Sequence, residues 1–208
     1  MLTPKQIKVF EAFLRQPYQE LTYKKVKEYS KEKSNSVLQK AIAKFLSEEL
    51  ITKNKIGNML LYSANFENSK TLSYFEILIQ EMLPVQVKKA LKYVLDELSG
   101  TPFVAIVIFG SYADNTQTEK SDLDIALFVR NTTDKRTCEL AMKSAELKSL
   151  LPIDYQVLTK KEMLFLLKDK HENVGTQIAR KHLAVHNAAI FYSIVKEGIN
   201  NGFKIIPS

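Results

Sequence analysis

The chain has one cysteine, no tryptophan, six glycines, six prolines and no long apolar run. With Cys138 alone, an internal disulfide framework and any multi-cysteine zinc site are excluded, and Cys138 reads as a small side chain on a helix. No apolar stretch reaches the roughly 20 residues a bilayer span needs. The opening MLTPKQIKVF lacks the basic-then-apolar layout of a secretion signal, so no membrane partner and a cytoplasmic location are expected. There is no motif-level repeat or low-complexity tract. What remains, 45% hydrophobic and 25% charged residues, is the ordinary composition of a globular protein.

The 208 residues suffice for one large domain or two small ones. The net charge of +7 is unevenly spread: residues 1 to 62 carry 12 of the 30 Lys and Arg but only 6 of the 23 Asp and Glu. Nearly all the basic excess therefore lies in the first third, as expected if that part alone meets a polyanion. Lysines that simply solubilise a small domain are the other reading.

The chemistry is concentrated from Phe103 to Val129. An apolar, β-branched run ends in Phe109-Gly110-Ser111, a polar loop follows, and Ser121-Asp122-Leu123-Asp124-Ile125 opens a second apolar run. That order is strand, turn, strand. Side chains two apart on a strand share a face, so Asp122 and Asp124 point together while Leu123 and Ile125 enter the core. Two carboxylates that close either raise the pKa of one member or recruit a cation. Oxygen ligands suit Mg²⁺, which often brings phosphate with it. The small-residue turn Gly110-Ser111 lets backbone N–H groups approach a phosphate.

Gly110-Ser111-Tyr112-Ala113 followed by Ser121-Asp122-Leu123-Asp124-Ile125 resembles the signature of the polymerase-β-like nucleotidyltransferases, in its minimal form. The resemblance implies a small mixed sheet flanked by helices, Mg²⁺ as cofactor and an NTP as substrate. By it, Asp122 and Asp124 hold metal, Gly110 and Ser111 grip the β- and γ-phosphates, and Ser121 and Lys120 lie at the nucleotide. One departure stands out. Minimal members commonly have Arg-Gly after Ser-Tyr-Ala, whereas this chain has Asp114-Asn115, which removes a cation near the expected triphosphate. Lys120 is near enough in sequence to compensate.

Ahead of the motif, Thr3-Pro4-Lys5-Gln6 has capping-box spacing with proline at the first helical position. Ile7, Phe10, Phe13 and Leu14 form an apolar stripe, and Pro17 ends the helix. A second short helix is expected over Leu21 to Tyr29. A third starts near Ser34-Asn35-Ser36 and buries Leu38, Ile42, Phe45 and Leu46. Two strands around Asn54 to Asn58, turned at Gly57, follow. Three helices and a basic hairpin resemble a winged helix-turn-helix domain, whose third helix enters the DNA major groove. That resemblance places Ser36, Gln39, Lys40 and Lys44 toward DNA, with Lys53 and Lys55 on the wing. Winged helices also serve as protein-docking modules.

The fold expectation is therefore α+β: a winged helix-turn-helix domain over 1–64, connecting helices over 65–100, and a nucleotidyltransferase domain with C-terminal helices over 101–208. Ser99-Gly100-Thr101-Pro102 is the break before the last. Within it, a helix from Arg136 to Leu150 is expected to turn Leu140, Leu147 and Leu151 to the core. A strand from Ile153 brings Asp154 to the place of the superfamily's third metal-site carboxylate. Two helices, Lys160 to Lys170 and Thr176 to Gly198, close the chain. His182 and His186, four apart on the latter, read as surface or packed residues, since no third metal ligand accompanies them.

Three functions are compatible with these residues. One is Mg²⁺-dependent transfer of an NMP from NTP to a hydroxyl acceptor, with a DNA-binding winged helix. Another is a DNA-binding regulator whose second domain senses NTP without turnover. The third is an antitoxin-like partner of a HEPN protein, the company that minimal nucleotidyltransferases often keep.

Overall fold

The computed structural model describes residues 1–101, 104–169 and 171–205. Pro102 of the expected break, Phe103 at the start of the motif segment and Lys170 at an expected helix end lie outside the described residues. The chain divides into two compact units, Met1–Leu78 and Ile79–Ser208.

In the first unit, α1 (Pro4–Arg15) begins at the expected box: Thr3 Oγ1 accepts from the Gln6 N–H, and Gln6 Oε1 accepts from the Thr3 N–H. A two-residue strand, β1 (Leu21–Thr22), comes next, so the segment read as one helix from Leu21 starts extended, and Thr22 caps α2 (Tyr23–Ser30). Ser34 caps α3 (Asn35–Ser47) by accepting from the Val37 N–H. β2 (Ile51–Ile56) and β3 (Met59–Ala64) form a hairpin with Gly57 at φ 59° in the turn, and β1 adds to β3, giving the antiparallel order β1-β3-β2. α4 (Ser69–Met82) follows, and the division between the units falls inside it.

The core of this unit is aromatic. Phe10 lies 5.0 Å from Phe45, 5.4 Å from Phe75 and 5.9 Å from Phe13 between ring centroids, and all four are fully buried. Tilted and edge-on rings at such distances contribute about 0.5–1.5 kcal/mol per pair beyond their buried area. Thr71 is buried as well, its hydroxyl donating to the Leu50 carbonyl at 2.9 Å, which leaves neither group without a partner.

The second unit runs through α5 (Val85–Glu97), β4 (Ala105–Ile108), α6 (Gly110–Asp114), β5 (Leu123–Val129), α7 (Thr132–Lys148), β6 (Ile153–Thr159), α8 (Lys160–Lys168), α9 (Val174–Arg180), β7 (Leu183–His186) and α10 (Ala188–Asn200). Its four strands form one mixed sheet in the order β6-β5-β4-β7, with β5 and β6 parallel and the other pairs antiparallel. A parallel pair needs a crossover, and α7 supplies it. α7 lies against β5 and β6 and meets α5, whereas α10 lies against β4 and β7 and meets α8. The small mixed sheet flanked by helices is the architecture expected of a nucleotidyltransferase domain.

Two expectations are corrected. α7 buries Cys138, Met142 and Ala145, while Leu140 and Leu147 are 69% and 89% exposed. The leucine spacing marks an outer stripe, and small or flexible side chains allow the close helix–sheet approach. The closing helix from Thr176 to Gly198 is interrupted: α9 ends at Arg180, Leu183–His186 pairs with β4, and Asn187 turns into α10 at φ 49°. Pairing with β4 satisfies a strand edge that a continuous helix would leave open. His182 and His186 therefore share no helix face.

Candidate active site at one end of the sheet

Strand alternation buries Leu123 and Ile125 completely and leaves Asp124 half-buried with Asp122 exposed. In the parallel β5–β6 ladder Asp124 is paired in register with Asp154, which is exposed. On the other side of β5, the Phe109 N–H donates to the Asp124 carbonyl at 3.0 Å, and Ile108 pairs with Ile125. β4 therefore ends where β5 and β6 begin. Asp122, Asp124, Asp154 and the turn at Gly110-Ser111 are brought to the same end of the sheet.

Gly110 is required there by two features. Its φ of 64° lies in the left-handed region, and a Cβ at this position would stand 2.1 Å from Asp124 Oδ2. No side chain fits between the turn and that carboxylate. The Asp124 carboxyl is pushed above its ordinary value, first by burial, then by the negative charges of Asp154 and Asp122; a backbone hydrogen bond from Ser111 opposes the shift. The neighbouring carboxylates thus make this sheet end unfavourable for a further negative charge. Among the described residues no group of three or more His, Cys, Asp or Glu side chains is gathered tightly enough to hold an ion, so a cation there would draw at least one carboxylate inward.

The loop before Asp122 is self-bonded. Ser121 Oγ accepts from the Thr118 N–H at 2.9 Å, the Ser121 N–H donates to the Thr118 carbonyl at 3.1 Å, and the Lys120 N–H reaches Thr118 Oγ1 at 3.3 Å. The Ser121 hydroxyl is therefore engaged in shaping the turn, while the Lys120 side chain is exposed.

Asp114 has a partner that sequence reading missed. Lys181 Nζ lies 3.0 Å from Asp114 Oδ2. Sixty-seven positions separate the two, and no local pattern announces the pair. In the first unit Ser36, Gln39, Lys40, Lys53 and Lys55 are exposed. Lys44 is tied to Glu48 at 2.7 Å, and that bond holds its ammonium above the ordinary value.

One end of a small mixed sheet thus gathers carboxylates beside a glycine turn. Residues 87–182 match the family model of the nucleotidyltransferase domain, and the matched segment contains Gly110, Ser111, Asp122, Asp124 and Asp154. No curated protein and no solved structure matches the chain. No helix among the described residues is long and apolar enough to cross a membrane.

Proposed function

We propose that the second unit transfers an NMP from a Mg²⁺-bound NTP to a hydroxyl acceptor, in a cytoplasmic protein whose first unit binds DNA as a winged helix. The observation that carries the transfer reading is the register of Asp124 with Asp154 across β5 and β6, at the strand ends where Gly110 approaches the Asp124 carboxylate. The donor set fits a hard divalent cation: it consists of carboxylates, and the raised Asp124 carboxyl marks negative charge in need of balance. Asp122, Asp124 and Asp154 would hold Mg²⁺. When bound, the metal supplies charge neutralisation to the triphosphate and to the attacking oxygen.

The chain's own residues have distinct tasks in this reading. Gly110 and Ser111 present backbone to the β- and γ-phosphates without a side chain intervening. Asp154, exposed on β6, accepts the proton of the acceptor hydroxyl as the oxygen attacks the α-phosphorus and pyrophosphate leaves. Exposure on the edge strand β6 gives that acceptor a route in. Most of the rate enhancement comes from orientation and fixed charge rather than covalent chemistry.

Incubation with labelled NTPs and Mg²⁺ tests the reading. Label is expected to appear in an acceptor or in the protein itself, and Asp122→Asn or Asp124→Asn should abolish it. Turnover unaffected by both substitutions overturns the assignment. A second readout follows from the electrostatics. A group whose folded pKa is raised loses stability as pH rises through that pKa, so at neutral pH the Asp124 carboxylate is a strained charge. In EDTA, Asp124→Asn should therefore melt higher than the unsubstituted protein even as transfer disappears.

A further inference from the structure

Charge changes sign across the end of the sheet. The carboxylates stand at the start of β5, just before it and on β6, the Gly110-Ser111 turn leaves β4, and the next strand, β7, is preceded by Lys181. Leu183 pairs with Ile108 in the antiparallel β4–β7 ladder. Lys181, two residues before Leu183, thus arrives at the same end as Gly110, two residues beyond Ile108. Across the strands the order is acid, glycine turn, base.

A triphosphate carries about four negative charges at neutral pH, and three aspartates with one divalent ion leave its tail unbalanced. Asp114 follows directly on Ser111-Tyr112-Ala113. That aspartate holds Lys181 at the C-terminal end of α6, one helical turn from Gly110. We propose that Lys181 is the cation that receives the terminal phosphates of the nucleotide, with Asp114 keeping it in place until phosphate replaces the carboxylate. This rests on the nucleotidyl-transfer reading of the site. The Lys181 and Asp114 side chains are 45% and 29% exposed, and an ion pair so open to water is weak enough to be exchanged. A lysine ammonium on a flexible stem suits the task, because it follows a moving phosphate as a point charge without needing the fixed fork of arginine. The pair brings together residues that sequence order keeps 67 apart.

The test is a thermal-shift titration of the full chain with Mg²⁺ and a nucleoside triphosphate, and separately with the corresponding monophosphate. Lys181→Gln should weaken triphosphate binding about tenfold, the equivalent of one charge-assisted hydrogen bond, and leave monophosphate binding unchanged. Lys181→Arg should restore most of the loss. Lys168→Gln, which removes an exposed charge at the end of α8, should bind as the unsubstituted protein does. Equal triphosphate affinity for Lys181→Gln and the unsubstituted protein overturns the role of Lys181, as does an equal loss for Lys168→Gln. If the unsubstituted protein shows no triphosphate shift and Asp124→Asn changes nothing, the transfer reading itself fails, a result distinct from failure at Lys181 alone.

Discussion

The two units present their candidate surfaces in different ways. In Ile79–Ser208 the groups that matter are fixed by backbone pairing: Asp124 sits opposite Asp154, the Phe109 N–H bonds the Asp124 carbonyl, and Gly110 abuts the carboxylate. In Met1–Leu78 the candidate residues are side chains on α3 and β2, of which Ser36, Gln39, Lys40, Lys53 and Lys55 are exposed. A site of the first kind is specific because a displacement of one ångström breaks it. A surface of the second kind acts through summed charge and survives the loss of any one member. The core of the second unit, the single histidine with a large shift, and the lysines of the first unit probe this contrast in decreasing order of effect on the fold.

The largest effect is expected inside α7. Met142 is fully buried, and Met142→Ala should cost about 2–5 kcal/mol through lost contacts and the cavity left behind. Leu147→Lys, at an 89% exposed position, should stay within about 0.5 kcal/mol. Urea unfolding of the two variants measures both. If their costs were reversed, the facing of α7 and with it the crossover between β5 and β6 would be wrong.

That helix also shows where sequence reading stops. The two strands flanking Gly110 and Asp124 are legible because period-two alternation and a glycine break are local, and Asp154 follows once a strand is expected at Ile153; the short helix α6 stands where only a turn and polar loop are expected. The facing of α7 is not local. Leucines at 140 and 147 have helical spacing equally well on an outer stripe, and what selects Cys138, Met142 and Ala145 is the room left by β5, β6 and α5. The interrupted closing helix had one usable signal, Asn187, since asparagine tolerates the left-handed conformation found there. Lys181 had none. Its significance arises only when β7 pairs with β4.

The next effect separates the units by pH. All three histidines, His171, His182 and His186, lie in the second unit. The His182 ring packs against Phe191 and Tyr192, with centroids 4.6 and 5.5 Å away, and burial lowers its pKa from 6.5 to about 4, against hydrogen bonds that the ring donates to the backbone of Ile178 and Ala179. Below pH 6.5 the unfolded chain takes up a proton at this position that the folded one refuses until about pH 4. Stability therefore falls as pH drops through that window, by about 3 kcal/mol in all. Denaturation at pH 7 and pH 4.5, followed by hydrogen exchange in 79–208, checks it. His182→Phe, which keeps an aromatic ring against Phe191 and Tyr192, should flatten the dependence; an unchanged slope would assign the acid sensitivity to other groups.

The smallest effect on the fold is expected in the first unit, where the surface is proposed to meet DNA. Lys40, Lys53 and Lys55 are exposed, so replacing each by Gln should alter stability by no more than about 0.5 kcal/mol. Binding should respond quite differently. A lysine that neutralises a phosphate releases a counterion, and the slope of log affinity against log salt should become shallower by about 0.9 for each such lysine removed. Lys44 provides the internal comparison. Its ammonium is already engaged by Glu48 at 2.7 Å, and releasing it to a phosphate leaves that carboxylate facing the polyanion, so Lys44→Gln should change the slope less than any of the other three. Titration of the full chain with duplex DNA at several salt concentrations distinguishes the cases. Slopes indifferent to Lys40, Lys53 and Lys55 would remove α3 and the hairpin from DNA and leave the excess charge as solubilising surface, whereas a graded response would show that an exposed surface recognises its partner through the number of charges it presents.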